Sequence, residues 1–336
     1  MKNILITGGT GYIGSHIALE LLKSKFNVFI VDNFSNSNIR PLKIIEGLTR
    51  KKILFEEGDL REKNFLDYYF KKHLINGVIH CAGLKSVNES IQKPYDYYQN
   101  NVIGSINLIE AMRKYQVTKL IFSSSATVYD QCEKMPLSET SASGHGQNPY
   151  ARSKIMIEKI LQDEQIASKD LSVITLRYFN PVGNDSSGLI GENPKGTPNN
   201  LMPLLNNAAI NSKNLIVYGN DYDTPDGTAI RDYIHVSDLA NGHVLALEHL
   251  FNLRKKYIVY NLGTGYGTSV LEIIKCYEET NNLKINYNFG PRRNGDVPVS
   301  YADNKLAVAE LKWQHKHNLS TMCRDSYNWG LLQSNL

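Results

Sequence analysis

Short apolar runs alternate with longer stretches of helical periodicity through the first half of the chain. Ile4-Leu5-Ile6 leads into a helical pattern near Ile13 to Ser24, and Val28-Phe29-Ile30-Val31 follows it. Ile53-Leu54-Phe55, Val78-Ile79-His80, Leu120-Ile121-Phe122-Ser123 and Val173-Ile174-Thr175-Leu176 read as further buried strands, with helices expected near 62–73, 95–114 and 150–168. Unbroken apolar runs of this length suit strands covered on both faces. Strand–helix alternation implies right-handed crossovers, so the pattern predicts a doubly wound α/β fold built on a parallel sheet.

From about residue 180 the texture changes. Asn180-Pro181-Val182-Gly183 to Pro203 is rich in Gly, Pro and Asn, as a long ordered loop is. A helical stretch at 201–211, the run Leu215 to Gly219, a Gly/Asp-rich segment and Arg231-Asp232-Tyr233-Ile234-His235 come next, then Tyr257 to Leu262, a helix near 269–281 and Pro291-Arg292-Arg293-Asn294-Gly295-Asp296. The expected organisation is a dinucleotide-binding domain over 1–179 and a smaller, mainly substrate-binding region over 180–336, with exchange of segments between them left open. A chain of 336 residues has room for both.

Composition narrows the classes. Hydrophobic content of 42% and charged content of 21% are ordinary for a globular protein. Lys and Arg number 37 against 33 Asp and Glu, a net charge of +4 without a basic tail, which argues against a nucleic-acid partner. Cys81, Cys132, Cys276 and Cys323 are scattered, with neither CxxC nor metal spacing, so free thiols in a reducing cytoplasm and no metal are expected. The N-terminus reads as a strand rather than a signal peptide, and no apolar run approaches the ~20 residues of a membrane span. A cytoplasmic location is expected.

Two motifs turn this layout toward chemistry. Gly8-x-x-Gly11-x-x-Gly14 follows the first strand and opens the first helix. There the glycines permit a tight turn and close approach to a pyrophosphate, whose charge meets the positive helix end, as in a Rossmann-type fold. Asp32 ends the second strand, where a carboxylate takes ribose hydroxyls and repels a 2′-phosphate; no Arg immediately follows, so NAD is expected over NADP. Asp59 closes the third strand, where it would reach the adenine edge, although a strand-end Asp is usually a turn residue. Downstream, Tyr150-Ala151-Arg152-Ser153-Lys154 sets a phenol and an ammonium on one helix face. The cation favours the phenolate and is expected to lower the phenol's proton affinity. Ser123-Ser124-Ser125-Ala126-Thr127-Val128-Tyr129 follows a buried strand, so its hydroxyls emerge where open α/β sheets bind ligands. One of them would bond a substrate oxygen while Tyr150 exchanges its proton. Tyr-x-x-x-Lys alone is weak in a chain with 20 Tyr; its weight comes from this company.

The chain resembles the extended short-chain dehydrogenase/reductases, and among them the UDP-glucose/UDP-galactose 4-epimerases, almost end to end. The resemblance is carried by Thr7-Gly8-Gly9-Thr10-Gly11-Tyr12-Ile13-Gly14-Ser15-His16, Ala82-Gly83-Leu84-Lys85, Ser123 to Tyr129, Arg177-Tyr178-Phe179-Asn180-Pro181-Val182-Gly183, Asn199-Asn200-Leu201-Met202-Pro203, and Asp226-Gly227-Thr228 to Arg231-Asp232-Tyr233-Ile234-His235. It implies that Ser125 binds the sugar hydroxyl, that Tyr150 is the acid/base and that Lys154 is its electrostatic partner. It matches Gly8, Gly11, Tyr12, Ile13, Gly14, Asp32, Asn33, Phe34, Ser35, Asn36, Ser37, Asp59, Leu60, Cys81, Ala82, Gly83, Lys85, Asn100, Ser125, Tyr150, Lys154 and Phe179 to NAD contacts. It matches Ser125, Tyr150, Asn180, Asn200, Leu201, Ile216, Val217, Tyr218, Arg231, Arg293, Asp296 and Ser300 to the UDP-sugar shell. Two arginines there make sense as charge-assisted clamps on a diphosphate. Three positions depart from the family pattern: Cys81 replaces Phe, Asp130 replaces Gly, and Tyr218 replaces the Phe beside the uracil.

The implied reaction is inversion at C4 through a 4-keto sugar, with NAD regenerated each turnover. A 4,6-dehydratase typically needs an Asp/Glu pair where Ala126 and Thr127 stand. A net dehydrogenase or reductase would use the same Tyr/Lys pair but consume cofactor, and a non-catalytic NAD-binding regulator would be expected to lose Tyr150 or Lys154. Ser300 matches a wall of the sugar pocket that carries Tyr in relatives restricted to unacetylated hexoses, which implies activity on N-acetylhexosamines as well. Related enzymes pair helices equivalent to 95–114 and 150–168 about a two-fold axis. Ile103, Ile106, Leu108, Ile109, Met112, Ile155, Met156, Ile157, Ile160 and Leu161 spread apolar surface over more than one face of these, so a homodimer is expected.

Overall fold

The computed structural model describes residues 1–130, 134–193, 195, 198, 200–293 and 295–334; Cys132, Asn199 and Asn294, named above, lie outside the described residues. The chain forms two compact units, one of Met1–Asp130, Ser141–Arg177 and Ala240–Tyr260, the other of Gln131–Thr140, Tyr178–Leu239 and Asn261–Leu336.

The apolar runs of the first half become β1 (Lys2–Thr7), β2 (Phe26–Asp32), β3 (Ile53–Glu57), β4 (Gly77–His80), β5 (Lys119–Ser125) and β6 (Ser172–Tyr178). The helices between them are α1 (Tyr12–Lys23), α2 (Arg40–Thr49), α3 (Lys63–Lys72), α4 (Val87–Gln92), α5 (Pro94–Tyr97), α6 (Gly104–Lys114) and α7 (Pro149–Ala167). The single helix expected over 95–114 is interrupted by a π-helical turn at Tyr98–Ile103, which carries Asn100 and Asn101; such turns re-aim side chains and cluster at functional sites.

Later elements are β7 (Asn180–Val182), α8 (Leu201–Asn211), β8 (Leu215–Tyr218), β9 (Ile230–Arg231), β10 (Tyr233–His235), α9 (Val236–Asn252), β11 (Tyr257–Leu262), β12 (Thr268–Ser269), α10 (Val270–Asn281), β13 (Tyr287–Gly290), β14 (Val299–Ser300) and α11 (Leu319–Ser334). The main sheet runs β11-β6-β5-β4-β1-β2-β3, and the pairings β3–β2, β2–β1, β1–β4 and β4–β5 are parallel. This is the doubly wound α/β fold the alternation predicts. Strand order reverses between β1 and β4, so the loops after these two strands open the crevice where such sheets take ligands.

Covered faces explain the unbroken apolar runs: Ile4, Leu5 and Ile6 are wholly buried. Leu5, Phe29, Val78, Leu120 and Phe122 from the sheet join Leu66, Tyr69, Leu108, Met112, Ile157 and Leu161 from α3, α6 and α7 in one core. The second unit has a core of its own, in which Val182, Leu205, Val217, Tyr233, Ile273, Tyr277 and Met322 meet. There α10 starts with a reciprocal capping box between Ser269 and Glu272. Asp232 is buried at its centre and accepts from Thr264 N (2.8 Å), Thr264 Oγ1 (2.6 Å), Gly265 N (2.9 Å) and Ala302 N (3.1 Å).

Candidate active site

The loop after β1 is shaped by two glycines. Gly8 has φ +72°, and a Cβ there would sit 2.7 Å from Ala82 N; at Gly14 a Cβ would lie 2.3 Å from Gly8 O. Side chains at either position would fill the turn that brings backbone and the α1 N-terminus to one point. Asp32 fastens this turn to the loop after β2. Its Oδ2 accepts from Thr10 N (3.2 Å), and its Oδ1 accepts from Phe34 N (2.9 Å) and Ser37 Oγ (2.9 Å). Asn33 Nδ2 donates to Asp59 Oδ2 (2.9 Å), while Arg61 grips both oxygens of Asp59 and pulls that carboxyl down to about 2. Arg61 has no signal in the sequence beyond its place two residues after Asp59.

Across the crevice, Cys81 to Lys85 follow β4. Cys81 Sγ lies 3.1 Å from Ser123 Oγ, and burial pushes its thiol up to about 11. Leu84 N donates to Asn101 Oδ1 (2.8 Å), and Asn101 Nδ2 donates to Leu84 O (3.0 Å) and Ser153 Oγ (3.1 Å). Asn101 thus ties the loop to α7, while its expected neighbour Asn100 is more exposed and donates to Asn101 Oδ1 (3.1 Å). The sequence signal for Asn101 is an Asn pair inside a helical pattern, where Asn is a poor helix former.

α7 is started by Asn148, whose side chain accepts from Ala151 N (2.9 Å), with Pro149 at its first position. An Asn cap and a Pro at N1 fix the first turn, and Tyr150 lies in it. Lys154, one turn on and also buried, donates from Nζ to Ser123 O (2.8 Å). The ammonium stands 4.8 Å from the centre of the Phe122 ring and 6.0 Å from that of Tyr150. Burial lowers the Lys154 pKa to about 8, with Cys81 and Glu158 working the other way. Burial also raises the Tyr150 phenol, opposed by a hydrogen bond from Ser125. The lowered proton affinity expected at Tyr150 is therefore not what the chain by itself sets; desolvation outweighs the hydrogen bond.

The same strand end and helix hold a third pair. Ser124 Oγ donates to Glu158 Oε1 (2.6 Å), and Arg177 Nε and Nη2 donate to Glu158 Oε1 and Oε2 (3.0 and 2.6 Å). Both charged side chains are almost fully buried. Removing one member of such a pair costs about 3–5 kcal/mol, because the other is left as an unpaired buried charge.

In the second unit, Arg231 and Ser300 are register partners of the parallel strands β9 and β14. Arg231 is held by its own surroundings: Nη1 donates to Ile230 O (2.7 Å), and Nη2 donates to Val297 O (2.7 Å) and Asp296 Oδ1. Arg293 lies 4.3 Å over the Tyr218 ring. Ile216 and Tyr218 are exposed on β8, whereas Val217 points into the core. Asn200 stands before α8 and donates to Glu192 Oε1 (2.8 Å), Leu201 opens that helix, Asn180 opens β7, and Phe179 is buried beside it. Arg292 was not anticipated; it pairs with Asp221 (2.7 Å) and lies 4.4 Å over Tyr222.

A glycine cradle at the sheet's reversal point and a Ser–Tyr–Lys group at a neighbouring strand end define a nucleotide-dependent redox site. The chain belongs to the NAD dependent epimerase/dehydratase family, whose model matches residues 4–263. It is 50% identical over 334 residues, covering 99% of this chain and 98% of the relative, to the UDP-glucose 4-epimerase of Yersinia enterocolitica. The crystal structure of UDP-glucose 4-epimerase from Bifidobacterium longum in complex with NAD+ and UDP superposes with a TM-score of 0.96 at 44% identity, over 99% of both chains. The UDP-Glc/GlcNAc 4-epimerase from Campylobacter jejuni follows at a TM-score of 0.86 and 33% identity, over 99% of this chain and 100% of that one. Among the described residues no helix is long and apolar enough to cross a membrane.

Proposed function

We propose that this chain is an isomerase that inverts C4 of UDP-hexoses, interconverting UDP-galactose and UDP-glucose through a 4-keto sugar. The observation that carries the reading is the Ser125–Tyr150–Lys154 group in a chain half identical to a UDP-glucose 4-epimerase along nearly its whole length. NAD is the cofactor: Gly8 and Gly14 leave open the volume a Cβ would close, and Asp32 offers a carboxylate beside that turn. When bound, NAD supplies the redox chemistry at C4 and is regenerated each turnover.

The chain's residues do the rest. Tyr150 takes the proton of the 4-hydroxyl and later returns it, Ser125 holds the sugar oxygen, and the Lys154 cation stabilises the phenolate. Arg231 and Arg293 grip the diphosphate while the keto sugar turns about its pyrophosphate linkage to present its other face. Residues 1–179 serve mainly NAD in this reading, and residues 180–336 mainly the UDP-sugar. Incubation with UDP-galactose and no added NAD is expected to yield UDP-glucose without net NADH. Tyr150→Phe is expected to lower kcat about 10²–10⁴-fold with the fold intact. Net NADH release, or near-normal turnover by the variant, overturns the reading.

The same site is proposed to interconvert UDP-GlcNAc and UDP-GalNAc. Support comes from Ser300, a small, half-buried side chain in register with Arg231. A Tyr there would fill the space beside the sugar's C2 substituent, and forcing an acetamido group against it would cost on the order of 1–3 kcal/mol. Ser300→Tyr is expected to abolish the acetylated reaction and spare the other. A wild type that ignores UDP-GlcNAc refutes this specificity.

We also place the enzyme in the cytoplasm, where its substrates and reduced thiols occur, as a homodimer. Leu108, Met112, Ile157 and Leu161 serve the core, which leaves Ile103 and Met156, with Ile91 and Tyr95 nearby in sequence, exposed for a partner. A monomeric mass by light scattering at micromolar concentration rules the dimer out.

A further inference from the structure

Three consecutive serines at the end of β5 engage three successive turns of α7. Ser125 acts on the Tyr150 phenol and opposes the rise in its pKa, Ser123 O accepts from Lys154 Nζ at 2.8 Å, and Ser124 Oγ donates to Glu158 at 2.6 Å. Tyr150, Lys154 and Glu158 are spaced one turn apart and form one stripe of the helix. The reaction as derived uses two members of this stripe. We propose that Glu158, gripped by Ser124 and Arg177, is a positioning residue for that reaction: it fixes the rotation of α7 about its axis and keeps Lys154 cationic beside Tyr150.

Geometry carries the first half, and the one-turn spacing of Lys154 and Glu158 on α7 supports the second. The carboxylate receives donors from β5 and from β6, whose Arg177 binds both of its oxygens. Rotation of α7 would break all three bonds together, and the same rotation would carry Tyr150 away from Ser125. Lys154 meets few other anions. From the end of β4 it is faced by His80, held neutral by burial, and by the neutral thiol of Cys81. β5 offers it the Phe122 ring and a carbonyl, and on the far side of Ser123 the Oγ meets His243 Nε2 of α9 at 3.1 Å. Glu158 itself is faced by Arg177, which lies 4.9 Å over the Tyr129 ring, and by the neutral phenol of Tyr257. Against the burial of Lys154 work Cys81 and then Glu158, the carboxylate of the two, one helical turn further along α7.

The inference rests on the epimerase reading, and two readouts keep the two separable. The first is the pH profile of UDP-galactose epimerisation. Glu158→Gln is expected to lower kcat about tenfold near pH 8, to move the alkaline limb to lower pH, and to leave KM within about threefold. The second is tyrosinate absorbance at 295 nm of the NAD-loaded protein, taken as the difference from the same chain carrying Tyr150→Phe. The Tyr150 ionisation is expected to shift measurably in Glu158→Gln. Glu158→Gln/Arg177→Met, which removes the Arg177 charge together with that of Glu158, is expected to shift both readouts as Glu158→Gln does. If Glu158→Gln does not fold, Ser124→Ala, which withdraws one donor, is expected to give a smaller shift of the same sign. A folded variant with wild-type profile and wild-type titration overturns the role of Glu158. A wild type that does not epimerise UDP-galactose overturns the function instead, and the titration still decides the role of Glu158.

Discussion

Replacing Lys154 by Met tests how much the buried ammonium contributes. The substitution keeps an unbranched side chain of similar length and removes one charge and one donor. Lys154 Nζ stands 6.0 Å from the centre of the Tyr150 ring, over which a phenolate's charge is spread. At an effective dielectric constant of ~20, two unit charges at that separation interact by about 3 kcal/mol, or about a hundredfold in rate if the interaction is realised in the transition state. Losing the donor to Ser123 O adds about 1 kcal/mol to the stability cost, which a thermal melt reads separately. The sign with pH follows from the Lys154 pKa of about 8: the group is a cation below that value and neutral above it. The ratio of wild-type to Lys154→Met activity on UDP-galactose is therefore expected to be about 100 at pH 7 and to narrow as the pH passes 8. A variant within threefold of wild type at pH 7, or a folded variant whose deficit stays constant to pH 9.5, refutes the electrostatic argument.

Three further outcomes follow from the packing. Gly14→Ala puts a Cβ 2.3 Å from Gly8 O, so the loop and α1 must part; about 1–3 kcal/mol of overpacking and at least a tenfold weaker retention of NAD are expected, read by melting and by dialysis. Asp232→Asn turns an acceptor oxygen into a donor facing either Thr264 or the amides of Gly265 and Ala302, and about 2–4 kcal/mol of stability is expected to go, measured by urea unfolding. His317 is raised above its ordinary pKa by its hydrogen bond to Asp238, so its contribution is full below about pH 6.5 and is lost as the pH rises through the raised value. His317→Ala is accordingly expected to lower Tm more at pH 6 than at pH 9, and an equal loss at both would refute that sign.

The buried sheet was legible because its strands are covered on both faces: the runs at Ile4, Val28, Val78 and Leu120 had no polar alternation to blur them. The catalytic helix was legible for another reason, since Tyr150 and Lys154 are a motif and Pro149 marks its start. α9 had no element assigned to it although Leu239, Val244, Leu247 and Leu250 recur at helical spacing. α2 is short and polar in its solvent-facing half, and α11 has a weak apolar stripe. In the site, Glu158, Arg177 and Asn101 had no role assigned from the sequence for a common reason. Each acts on another protein group rather than on a ligand, and partners far apart in sequence leave no spacing to read. The same long-range pairing closed Arg231 onto Asp296, two residues expected only as separate members of the UDP-sugar shell.

The first unit is assembled from three separate stretches, and its last, Ala240–Tyr260, brings β11 to the side of β6. A ribosome adding about 5–20 residues per second takes about 4–16 s to make the roughly eighty residues between Arg177 and Tyr260. For that interval the nascent sheet ends at β6 with its outer row of backbone N–H and C=O groups unpaired, a template for pairing with another unfinished chain. Chain connectivity therefore sets how long this edge stays unpaired during synthesis, and a fragment stopping at residue 177 would lack the strand that covers it.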